Sequence, residues 1–404
     1  MVQTIAKRVL EIKASPIRRI AAMIEKAAHD PNIISFGGGA PSLAPPQEVT
    51  DYLCDLMKKR RQWATSYTST QGISELISEI RHLLKREEKV NLESEENITI
   101  TSGGTEGLLL SMFALVNPGE EVIITDPTYV GYNQPILLAG GVPKTIPLHY
   151  DEDYQFSGED IEKIVTKKTT AVLVCDPDNP TGRVLEKDNM KSIVDVCEDK
   201  KLWLITDDVY KDILYDGRKF VNWRTYGSGD NIISCCSFSK SGSLPGIRLG
   251  YNYGPRNVVN EMQKLKQFTS LCSSKTAQLM ALKLIENKGK IKNEYVSKTV
   301  IPTYEKRRDA MMKQFQEQLP DAGISKPKGA FYFFANMSNY YDFKKHPDSE
   351  IADKLFAEKK TVLIPGQGFG ETSKNHQRFT FVSENEERIA EGMQRISKFF
   401  DSLK

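Results

Sequence analysis

The sequence predicts an α/β sandwich, a mostly parallel sheet between layers of helices, joined to a smaller α+β unit. Three observations carry this. Short β-branched runs recur at residues 97–101, 121–125, 171–175, 202–206 and 231–236, each largely apolar for about five residues and ending in Ser, Asp or Gly. Runs without polar alternation read as strands buried on both faces, the habit of parallel sheets. Helical stripes lie between the runs. Beyond residue 290 the alternation stops. The large unit therefore spans residues 46–289, and residues 1–45 and 290–404 form the small one.

Each element has its own signal. Ile73, Leu76, Ile77, Ile80, Leu83 and Leu84 mark one face of a helix, and Met190, Ile193, Val194 and Cys197 mark another. Residues 105–116 are apolar all round, which predicts a buried helix, and Asn117-Pro118-Gly119 stops it. In the last third, residues 329–335 and 378–382 read as strands. Ile389, Met393, Ile396 and Phe400 mark a closing amphipathic helix. The N-terminal segment is expected to fold back onto this small unit.

Composition removes several classes of function. The chain has 404 residues, 39% hydrophobic and 27% charged, which suits packed cores and argues against disorder. Lys plus Arg is 55 against 53 for Asp plus Glu, so no basic excess points to nucleic acid or anionic lipid. The most apolar stretch, residues 108–116, is too short to span a bilayer. Glu11 and Lys13 interrupt any secretory pattern, and a cytoplasmic location is expected. Six scattered cysteines, with no Cys-x-x-Cys, make a disulfide scaffold or a zinc site unlikely, and no metal is expected.

The informative residues stand where strands end, the edge at which such sheets bind ligands. The run 97–101 leads into Ser102-Gly103-Gly104-Thr105 at the start of the buried helix. Glycines there allow close approach, and the free N–H groups of a helix N-terminus suit an anion. A helix cap with a tight turn reads equally well. The run 202–206 ends in Asp207-Asp208-Val209-Tyr210, an acid and a phenol that could hold a ring nitrogen and a ring oxygen, or a solvated pair capping a turn. Asn179-Pro180-Thr181-Gly182 follows the run 171–175 and is a good turn whose Asn can face the same edge. The run 231–236 leads into Ser237-Phe238-Ser239-Lys240, then a Gly/Pro-rich loop to Gly246-Ile247-Arg248. A lysine emerging from a buried strand must neutralise, pair, react or snorkel outward. A desolvated lysine is the amine that condenses with carbonyls.

Taken together and in this order, Asn-Pro-Thr-Gly, Asp-x-x-Tyr, Ser-x-Ser-Lys and the Gly-x-Arg eight residues beyond the Lys resemble the class I/II aminotransferases. These are fold-type I enzymes dependent on pyridoxal 5′-phosphate, and the resemblance covers essentially the whole chain. It implies that Lys240 holds the cofactor and then shuttles a proton between substrate and cofactor. Asp207 resembles the carboxylate that pairs with the pyridinium nitrogen. Asp208 is its rival, and the spacing to Tyr210, matched to the cofactor's phenolic oxygen, favours Asp207. Asn179 matches a donor to the same oxygen. Gly104, Thr105, Ser237 and Arg248 match the phosphate site. Tyr129, in Asp126-Pro127-Thr128-Tyr129, matches the ring that stacks on the pyridine. Tyr67 resembles the tyrosine that reaches a phosphate across a dimer interface, so the resemblance implies a homodimer with shared sites. Arg378 matches the arginine that takes the substrate α-carboxylate, a planar fork suited to bidentate pairing. Gly39, in Ser35-Phe36-Gly37-Gly38-Gly39, matches a glycine whose backbone faces the substrate.

The stretch Ser15-Pro16-Ile17-Arg18-Arg19-Ile20, with the glycines after Ser35, looks most like the kynurenine/2-aminoadipate branch, in which Arg18 would meet a side-chain carboxylate. An ordinary surface charge is the alternative for Arg18. A second oxo acid such as 2-oxoglutarate must share the site, and aromatic, aminoadipate, branched-chain and aspartate specificities stay open. A lyase or synthase on the same scaffold is the second reading. A non-catalytic effector-binding module is the third, disfavoured by the intact Lys240, Asp207 and Arg378. Gly366-Gln367-Gly368-Phe369-Gly370 imitates half a dinucleotide fingerprint, but no apolar helix follows it. Two glycosylation sequons, at Asn97 and Asn336, lack a secretory signal.

Overall fold

The computed structural model describes residues 29–403, together with Ile5, Leu10, Ile20 and residues 22–25. Strand β1 (Ile34–Ser35) belongs to a small pairing described below. The central sheet takes β2 (Ile98–Thr101), β3 (Glu121–Asp126), β4 (Val142–Pro147), β5 (Thr169–Cys175), β6 (Trp203–Asp207), β7 (Ile232–Ser237) and β8 (Gly250–Tyr253). Their spatial order is β2-β8-β7-β6-β5-β3-β4. Pairings from β7 across to β4 are parallel, while β8 runs antiparallel to both its neighbours. The sandwich of a mostly parallel sheet between helices stands as the sequence predicts.

All five runs read as strands are strands, but two further strands lacked that signature. Strand β8 reads Gly-Tyr-Asn-Tyr, without a β-branched residue, and buries Asn252 completely. The Asn252 side-chain nitrogen donates to Gly107 O, Ser111 Oγ and Cys235 Sγ, while its buried Oδ1 has no partner. Strand β4 carries two prolines and a lysine, tolerable because it is the sheet edge. The reversal at β8 has a functional consequence. Its connection from β7 contains only the 3-10 turn Pro245–Ile247 and no crossover helix, so it returns to the same sheet edge. Lys240 and Arg248, one near each end of this loop, are thereby kept together.

Helix Gly104–Leu115 starts at Gly103, whose φ of +86° is left-handed. It is buried on most sides, as an apolar helix should be, except that Phe113 stands 46% exposed.

Toward the C-terminus, β11 (Ile364–Pro365), β12 (His376–Thr380) and β9 (Tyr332–Asn336) form an antiparallel sheet, and β1 pairs in parallel with β10 (Thr361–Val362). The N-terminal segment thus does return to the C-terminal part. Strand β9 begins three residues later than the apolar run suggests. Ala330 has a left-handed φ of +55°, and its N–H is taken by Ile213 O at 3.0 Å. Strand β12 lies two residues earlier than expected, because Phe381 N–H turns to Phe331 O. The closing helix is Glu386–Asp401, with Ile389, Met393, Ile396 and Phe400 on its buried face.

One buried carboxylate fastens the central sheet to the C-terminal part. Asp126, the last residue of β3, accepts from Glu371 N at 2.9 Å, from Thr372 N at 3.3 Å and from Thr372 Oγ1 at 2.6 Å. Hydrogen bonds to a charged, buried acceptor contribute about 1.5–3 kcal/mol each, and losing the acceptor strands its donors. Asp126→Ala is therefore expected to lower stability by roughly 2–4 kcal/mol. The measurement is the midpoint of urea unfolding; an unchanged midpoint would show that this anchor contributes nothing.

Candidate active site

The strand ends converge on a cavity of about 270 Å³. Eleven of the thirteen residues singled out in the sequence line it: Gly39, Gly104, Thr105, Tyr129, Asn179, Asp207, Tyr210, Ser237, Lys240, Arg248 and Arg378. They come from seven separate stretches of chain. Tyr67 does not line it and is 84% exposed. Arg18 lies outside the described residues.

Lys240 sits on the loop after β7. Burial lowers its amine to about 8, helped by the nearby Arg378 cation and opposed by the Asp207 carboxylate. The neutral amine is thus accessible near neutral pH, which a nucleophile needs. Its Nζ donates to Gly39 O at 2.5 Å and stands 5.4 Å from the Tyr210 ring centroid. The Gly39 backbone therefore does face the reacting end of the cavity. A Cβ there would come within 2.8 Å of the Tyr332 hydroxyl.

The rivalry between Asp207 and Asp208 is decided by strand alternation, because successive side chains leave opposite faces. Asp207 points into the cavity, while Asp208 does not line it and faces Lys211 and Glu88 on the other side. Burial raises the Asp207 carboxyl to about 6, opposed by the Tyr132 hydroxyl, which donates to Oδ2 at 2.7 Å. It is still mostly ionised at neutral pH.

Arg378 is 2% exposed and its fork is already aimed. One terminal nitrogen donates to Asn179 Oδ1 at 3.1 Å, the other to Gly37 O at 3.0 Å. The guanidinium lies 4.3 Å from the Tyr332 ring centroid, and its buried Nε has no partner. A cation so desolvated is a ready receptor for a carboxylate.

At the other end, Gly103 and Gly104 open the helix beside Arg248. A Cβ on Gly103 would stand 2.7 Å from the Arg248 guanidinium, so only glycine leaves the cradle open. Ser237 Oγ is 2.9 Å from Ser239 Oγ, and both residues line the cavity.

Several contributors were not singled out from the sequence. Tyr132 orients Asp207. The Tyr332 hydroxyl shares a 2.7 Å hydrogen bond with that of Tyr210, and its ring backs Arg378. Ile24, Gly37, Cys175, Val209 and Ser239 also line the cavity. Tyr132 stands three residues past Tyr129, a spacing that could have drawn attention to it. Tyr332 sits inside an aromatic strand, where a core role is the default.

A family model for class I and II aminotransferases matches residues 31–396. This chain belongs to the class I and II aminotransferases. A probable aspartate/prephenate aminotransferase from Aquifex aeolicus is 30% identical over 402 residues, covering 99% of each chain. An aromatic-amino-acid aminotransferase from Thermococcus litoralis is 28% identical over 99% of each. The aspartate aminotransferase of Thermotoga maritima, a solved structure, superposes with a TM-score of 0.87 at 27% identity, covering 98% of this chain and all of that one. The aminotransferase thus transfers amino groups, and its family depends on pyridoxal phosphate. No helix among the described residues is long and apolar enough to cross a membrane.

Burial alone does not single out Lys240. Lys266 is also lowered to about 8 by burial, yet it lies outside the cavity. Lys240 is distinguished by its neighbours, Asp207 and Arg378. In cofactor-free protein, the rate at which pyridoxal phosphate is captured should rise with pH as the amine loses its proton, reaching half its maximum near pH 8. Asp207 holds the Lys240 proton on, so Asp207→Asn should move that midpoint to lower pH. A midpoint near that of a free lysine, about 10.4, would contradict the role given to burial.

Proposed function

We propose that the chain uses pyridoxal 5′-phosphate to move an amino group between an acidic or aromatic amino acid and a 2-oxo acid such as 2-oxoglutarate. The observation that carries this is the lowered Lys240 amine placed between the Asp207 carboxylate and the Arg378 fork in one cavity. The residues fit the cofactor. The glycine cradle at Gly103, kept clear of Arg248, with Thr105 and Ser237, suits a phosphate. Asp207 would pair with the pyridine nitrogen, Tyr210 and Asn179 with the phenolic oxygen, and Tyr129 with the ring face. When bound, the cofactor supplies an electron sink for the electrons left at the substrate Cα.

The chain's own residues then do the rest. Arg378 binds the α-carboxylate and fixes the substrate's orientation. Lys240 takes the Cα proton and returns a proton at the cofactor's side, a task for an amine near neutral in charge. Asp207, carrying its charge at neutral pH and oriented by Tyr132, keeps the ring nitrogen protonated. The Gly37 and Gly39 carbonyls, held by Arg378 and Lys240, close the segment between β1 and helix Gln47–Lys59 over the cavity.

The substrate range draws on the relatives, which are named for aspartate, prephenate and aromatic amino acids. The kynurenine/2-aminoadipate branch is kept through Arg18 alone. We also infer a homodimer, the large unit being residues 46–289. Tyr67, Phe113, Phe268 and Leu271 are all 46% exposed or more, an apolar display unusual in a monomer. In a dimer Tyr67 would reach the neighbour's phosphate. A cytoplasmic enzyme is the matching expectation.

Lys240→Ala should abolish both the visible absorption of the bound cofactor and transamination, as read by spectrum and by oxo-acid release. Retained turnover in that variant would end this reading. Arg378→Ala should raise KM roughly 10- to 100-fold for every amino acid tested, the scale of one or two charge-assisted hydrogen bonds. An effect confined to dicarboxylic substrates would give Arg378 a side-chain role instead.

A further inference from the structure

Lys266, in helix Arg256–Thr269, is 0% exposed and forms no ion pair among the described residues. Its Nζ is instead bound by two backbone carbonyls, Thr70 O at 2.8 Å and Ile100 O at 2.5 Å. Burying an ammonium on two neutral carbonyls, with Glu106 attracting it only from beyond ion-pair distance, is costly, and such an arrangement persists only where the surroundings impose it. The reason lies in the two carbonyls. Ile100 belongs to β2, the sheet edge, and the loop of residues 65–73 runs along that edge. Ile100 N–H bonds Gln71 O at 2.8 Å, but beside it Thr70 O and Ile100 O are both acceptors. Two acceptors cannot pair with each other, and the Lys266 ammonium supplies the missing donors.

The same loop is tied down along its length. Gln278, also 0% exposed, accepts from Ile73 N at 2.8 Å and donates to Thr68 Oγ1 at 3.2 Å. Gln71 Nε2 donates to Glu95 O and Ile98 O. Gly72, at φ +132°, lets the chain press onto Ile100, where a Cβ would collide. Buried polar groups thus hold the loop rigid, while its residue Tyr67 projects 84% exposed into solvent. These bonds satisfy buried polar groups of the loop, and they also hold in one place an aromatic ring that buries little surface in its own chain. Such rigidity is what preorganised presentation to another molecule requires.

We propose that Lys266 is a positioning residue that fixes the loop carrying Tyr67, so that a second copy of the chain receives the Tyr67 hydroxyl already placed at its phosphate site. This rests on the dimeric reading above and adds a residue that touches neither substrate nor cofactor.

The test is a double-mutant cycle on the holoenzyme, reading the dissociation constant of pyridoxal phosphate by equilibrium dialysis. Tyr67→Phe alone reports on the dimeric reading and should weaken cofactor binding. Lys266→Met should raise the dissociation constant about tenfold with Tyr67 present, and less than about twofold in the Tyr67→Phe background, since coupled residues are non-additive. Lys266→Gln keeps a donor for one carbonyl and should fall between. It also carries the cycle if Lys266→Met does not fold. An equal loss in both backgrounds, or no loss, would overturn the proposal while leaving the Tyr67 role standing. If Tyr67→Phe binds the cofactor as tightly as the parent, the reading beneath it fails, and the proposal with it.

Discussion

The site depends on the desolvation of a single amine. Lys240 leaves the end of a mostly buried strand and is largely withdrawn from water, so its charged form is disfavoured, and Arg378 presses in the same direction. Every other feature is arranged around that constraint. The carboxylate of Asp207 stops the shift from going too far, leaving an amine that can gain and lose a proton near neutrality. The carbonyl of Gly39 gives the ammonium form one short hydrogen bond, so the charged state is not stranded. An amine free to swing between carbonyl and reacting carbon is what a proton shuttle needs.

The sheet topology explains how so many groups reach one place. Parallel strands deliver Asp126, Cys175, Asp207 and Ser237 to a common edge, and the reversed β8 brings the Lys240 loop back to it at Arg248. Had β8 been parallel, a crossover helix would have carried Arg248 to the far end of the sheet. The pairing of an antiparallel strand next to β7 is therefore part of how Lys240 and Arg248 stay neighbours. Glycine at Gly103 completes the arrangement from the β2 side, where any side chain would fill the space that Arg248 borders.

Much of this was readable in the sequence because strand ends announce themselves. An apolar run gives way abruptly to Asp, Asn, Ser or Lys, and in a parallel sheet that junction is the ligand edge. Lys240, Asp207 and Asn179 were visible for that reason, and Arg248 through its spacing beyond Lys240. Tyr132 and Tyr332 were not, since an aromatic ring in a helix start or an aromatic strand is normally packing, and only distance shows that their hydroxyls bond Asp207 and Tyr210. Strand β8 was missed because it is held by pairing with β2 and β7 on either side and has no β-branched residues of its own. Lys266 was invisible for a related reason. Its partners are main-chain carbonyls, which carry no sequence signature.

The arrangement around Arg378 bears on how one cavity can serve two chemically different acids. Its fork is held by Asn179 and Gly37 and backed by the Tyr332 ring before any ligand arrives, so the recognition common to all substrates is built in and needs no rearrangement. Leu108, Tyr129, Val209 and Ile24 also line the cavity and offer contact area without charge. Such a wall accepts an aromatic side chain directly. A side-chain carboxylate would instead have to meet a cation from outside this wall, whether from the N-terminal segment that carries Arg18 or from a second copy of the chain. On that reading, selectivity among amino acids would come from charge outside this wall, while the α-carboxylate and the amine would be read by groups the fold fixes.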